Sequence, residues 1–203
     1  AAAAAVPHAS NAADDAALLI CYFGAGCFWH VQHEMVLEEQ ATLQRTGTLI
    51  TAVAGYAGGN TAGDGGKVCY HNADRVADYG KLGHAEAVQV AIPPESLPNF
   101  AQRYFSLFGT RGFRHDPQDK GGEYRSVIGL PGGNDSPHAR VIRDAASRSP
   151  MRLFVGEGNE PDTIGAKAVV VYDSDVFPFY RAELYHQFHN DFIGKPYGKA
   201  YND

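Results

Sequence analysis

Leu18–Phe23 is an apolar run of strand length that stops at Gly24-Ala25-Gly26. From Cys27 to Thr46 there is then neither glycine nor proline. A run of that length followed by glycines suits a buried strand, and the Glu-, Gln- and Leu-rich stretch after it suits a helix. Phe28, Val31, Met35 and Leu43 fall on one side of that helix. This strand–turn–helix unit constrains the fold most, because its sheet face and its helix face must both be buried in one core.

The rest of the chain repeats the alternation. Thr48–Ala54 reads as a second strand, entering the glycine-rich turn Gly55–Gly59, and 60–82 as a long polar loop. Ala85–Ile92 alternates as a strand with one wet face. Pro93–Ser96 opens a helix with Phe100, Tyr104, Leu107 and Phe108 on one face. Tyr124–Leu130, Leu153–Val155 and Ala166–Tyr172 read as strands. Ser136-Pro137 starts another helix, and Phe179–Phe192 reads as a last one. No linker divides residues 18–203. The expectation is a single domain with a sheet covered by helices, preceded at 1–17 by an alanine-rich, weakly ordered tail.

Composition narrows the function. The chain has 203 residues, 17 basic and 23 acidic side chains, and no apolar run near the ~18 residues of a membrane span. Neither nucleic acid nor membrane is an expected partner. The N-terminal segment lacks the features of a targeting peptide, so a cytoplasmic location is expected, or an organellar one if an upstream signal was removed. Three cysteines argue against a disulfide scaffold and for free thiols.

Cys27 is the most suggestive of them. Its residue type alone allows a small buried hydrophobe packed beside the sheet; at the opening of a helix, however, its sulfur is expected to meet unpaired N–H groups and the positive end of the dipole, which favours a nucleophilic thiolate. Cys27, His30 and His33 do not make a metal site. At ~100° per residue His33 is turned about 120° away from Cys27.

Gly26-Cys27-Phe28-Trp29, Gly55-Tyr56-Ala57-Gly58-Gly59, Gly83-His84-Ala85-Glu86 and Asp119–Ser126 (DKGGEYRS) occur in that order, with Tyr185-His186-Gln187 near the end. Together they closely resemble the peptide methionine sulfoxide reductase A family, over roughly Ile20 to Tyr201. The resemblance implies an α+β fold with a ferredoxin-like core, a two-layer mixed sheet covered by helices. It implies Cys27 as the nucleophile toward the sulfoxide sulfur, passing through a sulfenic acid. Glu86 would be the general acid, Tyr56 and Tyr124 the phenols that bond the developing oxyanion, and Asp119 a supporting carboxylate. Phe28 and Trp29 would wall the pocket for the substrate methyl group. His186 would stand behind the site.

The resemblance further implies a monomer with no bound cofactor or metal, acting on free or protein-bound methionine-S-sulfoxide. The reductant would be an external thiol such as thioredoxin, glutaredoxin, glutathione or, in vitro, dithiothreitol.

Two departures stand out. His30-Val31-Gln32-His33 replaces the usual continuation of the first motif, putting an imidazole one turn from Cys27. Ala200 stands where a resolving cysteine is common, and no cysteine follows Cys69. Cys69 is then the candidate resolving thiol, Cys21 a buried spectator, and direct external reduction the favoured route. The alternatives are a non-catalytic redox sensor or methionine-binding module on the same scaffold, and a Cys–His peroxidase.

Overall fold

The computed structural model describes residues 17–189. Its seven strands are β1 (Leu19–Gly24), β2 (Val53–Ala57), β3 (Ala85–Ile92), β4 (Val127–Leu130), β5 (Arg152–Val155), β6 (Ala168–Asp173) and β7 (Tyr180–Arg181). Three helices, α1 (Phe28–Leu43), α2 (Leu97–Ser106) and α3 (Ala139–Ala146), lie between them. The strands form one mixed sheet in the order β5-β6-β4-β1-β3-β2-β7. Within it, β4-β1-β3-β2 is antiparallel throughout. With α1 and α2 as the two crossovers this is the ferredoxin-like βαββαβ unit. β6 and β5 extend it in parallel beyond β4. The expected α+β class with a mixed sheet is what the chain forms.

The main core lies between the sheet and the helices. Cys21 and Phe23 of β1 and Val88, Val90 and Ile92 of β3 face Val31 and Met35 of α1 and Phe100, Tyr104 and Phe108 in and after α2. Tyr22, Ala87, Val127 and Tyr172 face the other way into a smaller cluster, covered by Phe177 and Phe179. Strand alternation therefore sends Glu86, which shares its face with Val88, to the helix side. Among the described residues no helix is long and apolar enough to cross a membrane.

The wet face expected of Ala85–Ile92 is not there, because Ala85 and Ala87 are buried in the second cluster and only Gln89 and Ala91 are partly exposed. Four further expectations need correction. The first concerns 179–189, which is not helical: Tyr180–Arg181 pairs with Gly55-Tyr56 as β7, and only Leu184–His186 makes a single helical turn. The edge of β2 has backbone groups to satisfy, and this segment supplies their partners. Ala182 N–H donates to the Ala54 carbonyl (2.9 Å), and Gln187 both accepts from Ala54 N–H (2.9 Å) and donates to its carbonyl (3.0 Å). Residues 190–192 of the expected helix, the tail at 1–16 and the stretch around Ala200 lie outside the described residues.

The second correction is that Gly55-Tyr56-Ala57 is strand rather than turn, so β2 runs later than Thr48–Ala54. Gly55 is required because a Cβ there would strike the Tyr180 carbonyl and the Phe179 ring. The third is that β4 starts at Val127, because Gly122–Tyr124 is taken up in a helical turn. The fourth is that α3 opens at Ala139, after a helical turn at Gly133–Asp135.

Arg125 is the polar hub that joins these loops. Only 1% exposed, it donates to the carbonyls of Gly58 (2.8 Å), Gly83 (2.9 Å) and Gly122 (2.8 Å) and to the Tyr172 hydroxyl (3.0 Å). Each of the three motif loops after the first is tied to this one guanidinium. Arg125→Met leaves those acceptors buried without donors, and we expect a loss of about 3–5 kcal/mol of stability in denaturant unfolding.

Candidate active site

The start of α1 gathers the candidate residues. An α-helix leaves its first N–H groups without intrahelical partners. Here Cys27 N–H donates to Asp119 Oδ2 (2.8 Å) and Phe28 N–H donates to Glu86 Oε2 (2.8 Å). The N–H groups of Trp29 and His30 turn toward the Cys27 sulfur. Four successive amides thus hold two carboxyl groups and one thiol around a single helix end. Gly26, at φ +85°, makes the turn possible, since a Cβ there would run into the Asp119 carboxylate. Asp119 is fixed in turn by Arg114, which donates to its carbonyl (2.7 Å) and pairs with Asp162 (2.7 Å).

Glu86 is 1% exposed and sits on β3 in register with Tyr56 of β2. Burial pushes its carboxyl up to about 8, against the hydrogen bonds from Phe28 N–H and the Tyr79 hydroxyl, with the Asp119 and Glu123 charges adding to the rise. At pH 7 this side chain is a neutral carboxylic acid, able to give up a proton.

The expected thiolate at Cys27 is not what the site favours at rest. Burial pushes the Cys27 thiol well above its ordinary value, and the Glu86 carboxyl adds to it; the N–H groups of Trp29 and His30 pull the other way. A helix end lowers a thiol pKa when the sulfur is solvated or faces cations. This half-buried sulfur faces two carboxyl groups instead.

The phenols are distributed differently from the sequence expectation. Tyr56 is fully buried, and its hydroxyl donates to Glu183 Oε2 (2.8 Å). Tyr79, in the long loop, is the phenol that donates to Glu86 Oε1 (3.2 Å). Tyr70, also in that loop, is only partly buried; burial pushes its hydroxyl up to about 12, with the Glu86 and Cys27 charges next in effect. Tyr124 lies at the end of its helical turn. Burial raises it, then the charges of Glu86, Tyr70, Asp119 and Cys27. The phenols that share the space of Cys27 and Glu86 are therefore Tyr70 and Tyr124, with Tyr79 anchoring the acid and Tyr56 behind them. Tyr70 and Tyr79 escape sequence reasoning because both sit in a Gly/Asp-rich stretch. The available signal was their position just before Gly83-His84-Ala85-Glu86.

Aromatic rings line the rest. Phe28 lies 6.3 Å from Trp29, 6.4 Å from Tyr70 and 5.2 Å from His186, centroid to centroid. His186 is buried between Tyr70 (4.2 Å) and Trp29 (5.9 Å), and burial holds its imidazole below the usual range, as a neutral ring. His30 stacks on His115 at 4.0 Å. Among the described residues no cluster of three or more His, Cys, Asp or Glu side chains could hold a metal ion.

Cys21 is 1% exposed in the core of β1. Cys69 is partly exposed and bridges to Asp78 through its backbone. It lines a shallow depression with Lys67 and residues 179–183. Neighbouring side chains in extended backbone point to opposite sides, so with Tyr70 facing Phe28 and His186, Cys69 faces away from the pocket.

Known proteins resemble this chain in sequence and in fold. The family described as Peptide methionine sulfoxide reductase matches residues 20–201. Peptide methionine sulfoxide reductase MsrA of Salmonella agona is 33% identical over 193 residues, covering 90% of this chain and 74% of that protein. The protein of the same name from Methanoculleus marisnigri is 31% identical over 173 residues, covering 81% and 84%. Among solved structures, Mxr1 from Saccharomyces cerevisiae in reduced form superposes with a TM-score of 0.55 at 22% identity, covering 93% of each chain. Methionine sulfoxide reductase A of Corynebacterium diphtheriae gives 0.52 at 20% identity, covering 90% and 79%. These two structures share the fold, and the match over 20–201 with relatives above 30% identity carries the assignment: the chain belongs to the peptide methionine sulfoxide reductase family.

Proposed function

We propose that the chain reduces methionine-S-sulfoxide, free or within proteins, with Cys27 as nucleophile and Glu86 as general acid. The observation that carries this reading is the neutral, buried Glu86 carboxyl held beside Cys27 by consecutive amides of one helix end. A solvated glutamate would be ionised at pH 7 and could not donate. A buried one keeps its proton for an oxygen that becomes basic as the S–O bond weakens.

The step balances within the site. The Cys27 sulfur attacks the sulfoxide sulfur, Glu86 protonates the sulfoxide oxygen, and the thiol proton restores Glu86. Transfer of the hydroxyl to the Cys27 sulfur releases methionine and leaves Cys27 as a sulfenic acid. The substrate sulfur has gained two electrons and Cys27 has lost them. Phe28 and Trp29 receive the methyl group, and the Tyr70 and Tyr124 hydroxyls bond the oxygen as its charge grows. Asp119 fixes the helix end that carries the thiol.

Enzymes of this family use external thiols as reductants. In this chain one thiol condenses with the sulfenic acid, releasing water and forming a mixed disulfide. A second thiol cleaves it and restores Cys27. Cys69 faces away from the pocket and Cys21 is sealed in the core, which supports direct external recycling over an internal disulfide. The buried acid favours catalysis over the redox-sensor reading, since sensing requires no proton donor aimed at a leaving oxygen.

Tyr70 offers a sharp test. Tyr70→Phe should lower kcat for methionine-S-sulfoxide by ~10–100-fold with dithiothreitol as reductant, the usual scale for one oxyanion donor supported by another. Unchanged kcat would remove Tyr70 from the proposed pair.

A further inference from the structure

Tyr56 carries one of the motifs that identify the family, yet its hydroxyl does not enter the pocket. It ends on Glu183, and so does a bond from the loop that carries Tyr70: Tyr70 N–H donates to Glu183 Oε1 (2.9 Å), and Tyr56 donates to Oε2 (2.8 Å). We infer that Glu183 is a positioning residue, through which Tyr56 and β7 hold the Tyr70 segment so that its phenol faces Cys27 and Glu86. This rests on the reading of Tyr70 as a pocket phenol.

Everything on the sheet side of this link is fixed. Tyr56 is 0% exposed, paired with Glu86 on one side and Tyr180 on the other. Glu183 lies two residues after the end of β7, and the intervening Ala182 N–H is bonded to the Ala54 carbonyl. The carboxylate therefore arrives from the sheet edge with one oxygen already oriented and the other free to hold the loop. Many of the loop's other backbone and polar bonds are internal: Cys69 pairs with residues 77 and 79, and Asn72 closes the turn at Val76. His71 reaches Asp78 (2.9 Å) and Glu123 (3.3 Å). None of those bonds reaches the β2–β7 edge. Tyr79 ties the loop to the sheet through its ring on Tyr56 (4.6 Å) and its hydroxyl on Glu86, and the Tyr70–Glu183 bond is the hydrogen bond that joins the Tyr70 backbone itself to the β2–β7 edge.

Desolvation pushes the Glu183 carboxyl up. The Tyr70 N–H and the other donors around it outweigh that and hold it below the usual range, so it is an ionised, strong acceptor at neutral pH. A sidechain displaced by an ångström from its productive place can cost ~10²-fold in rate, which sets the scale of the effect.

The test is a double-mutant cycle in the full chain, with methionine-S-sulfoxide and dithiothreitol, after circular dichroism confirms each variant folded. Glu183→Ala should lower kcat by about tenfold or more while KM changes by less than about threefold. Glu183→Gln should recover most of it, since its amide oxygen still accepts from Tyr70 N–H and its NH₂ donates to the Tyr56 oxygen. In a Tyr70→Phe background, Glu183→Ala should cost nothing further. Tyr56→Phe, which removes one hydroxyl only, should show the same pattern at smaller amplitude, and it serves if Glu183→Ala does not fold. Losses that multiply in the double variant, or a Glu183→Ala enzyme with wild-type kcat, overturn the positioning role. If Tyr70→Phe itself keeps full activity, the pocket-phenol reading falls and takes this role with it.

Discussion

Cys27→Ser should abolish methionine-S-sulfoxide reduction, by at least ~10³-fold in kcat/KM, while leaving the melting temperature nearly unchanged. A hydroxyl of similar size fits the partly buried position and can accept from the same Trp29 and His30 amides. It cannot take the sulfoxide oxygen, because a reducing equivalent must come from sulfur. Cys21→Ala and Cys69→Ala provide the contrast. Cys69→Ala should leave turnover with dithiothreitol within about twofold of the wild type, since that thiol faces away from the pocket. Assays with each single-cysteine variant decide this directly, and loss of turnover in Cys69→Ala would show that it resolves the sulfenic acid.

Glu86→Gln should produce the second large effect, with opposite signs in two measurements. Turnover should fall by ~10²–10⁴-fold, because an amide keeps the shape, still accepts from Phe28 N–H and can donate to the Tyr79 oxygen, but releases no proton. Stability should move the other way at neutral to basic pH. The folded-state carboxyl is raised to about 8 against about 4.3 in an unfolded chain. Its contribution is therefore fully present below about pH 4 and is lost as pH rises toward 8. The Gln variant carries no such penalty, so its melting temperature should exceed that of the wild type by a margin that grows between about pH 5 and 8. A gain in stability with a loss of activity is the signature of a strained catalytic group. In the wild type, rate should decline as pH rises through about 8, as Glu86 ionises. Equal melting curves for the two proteins at pH 8 would show that Glu86 is not held neutral.

The fold was legible where periodicity and burial agree. β3 ends where its alternation ends, and α1 begins at the residue after Cys27, because strand length, glycine placement and helix propensity point the same way there. The sequence reading failed where backbone pairing overrode local propensity. Phe179–Phe192 looks helical in isolation, but the unpaired edge of β2 draws 180–187 into bonds with Ala54, Gly55 and Tyr56. Gly55 looks like a turn residue, though it is glycine to let β7 pass close over it.

For the site, Cys27, Glu86, Asp119 and Tyr124 converge in space as their motifs suggested, although nothing in spacing alone predicts that convergence. What escaped is what depends on three-dimensional neighbours. The thiol is raised rather than lowered, since its burial and the Glu86 carboxyl appear only once β3 is packed against α1. Tyr56, Tyr70 and Tyr79 exchange places for a similar reason. Which phenol faces the pocket depends on how the 60–82 loop folds back over the sheet, and Glu183, far away in sequence, is part of that answer.

A single turnover without reductant tests the central claim most directly. Fully reduced protein mixed with one equivalent of methionine-S-sulfoxide should release one methionine per chain. It should also gain one oxygen atom, placed at Cys27 by dimedone labelling and peptide mass mapping, while Cys21 and Cys69 still count as free thiols. Methionine release with the oxygen or a disulfide located elsewhere, or no methionine at all, would contradict Cys27 as the group that takes the sulfoxide oxygen.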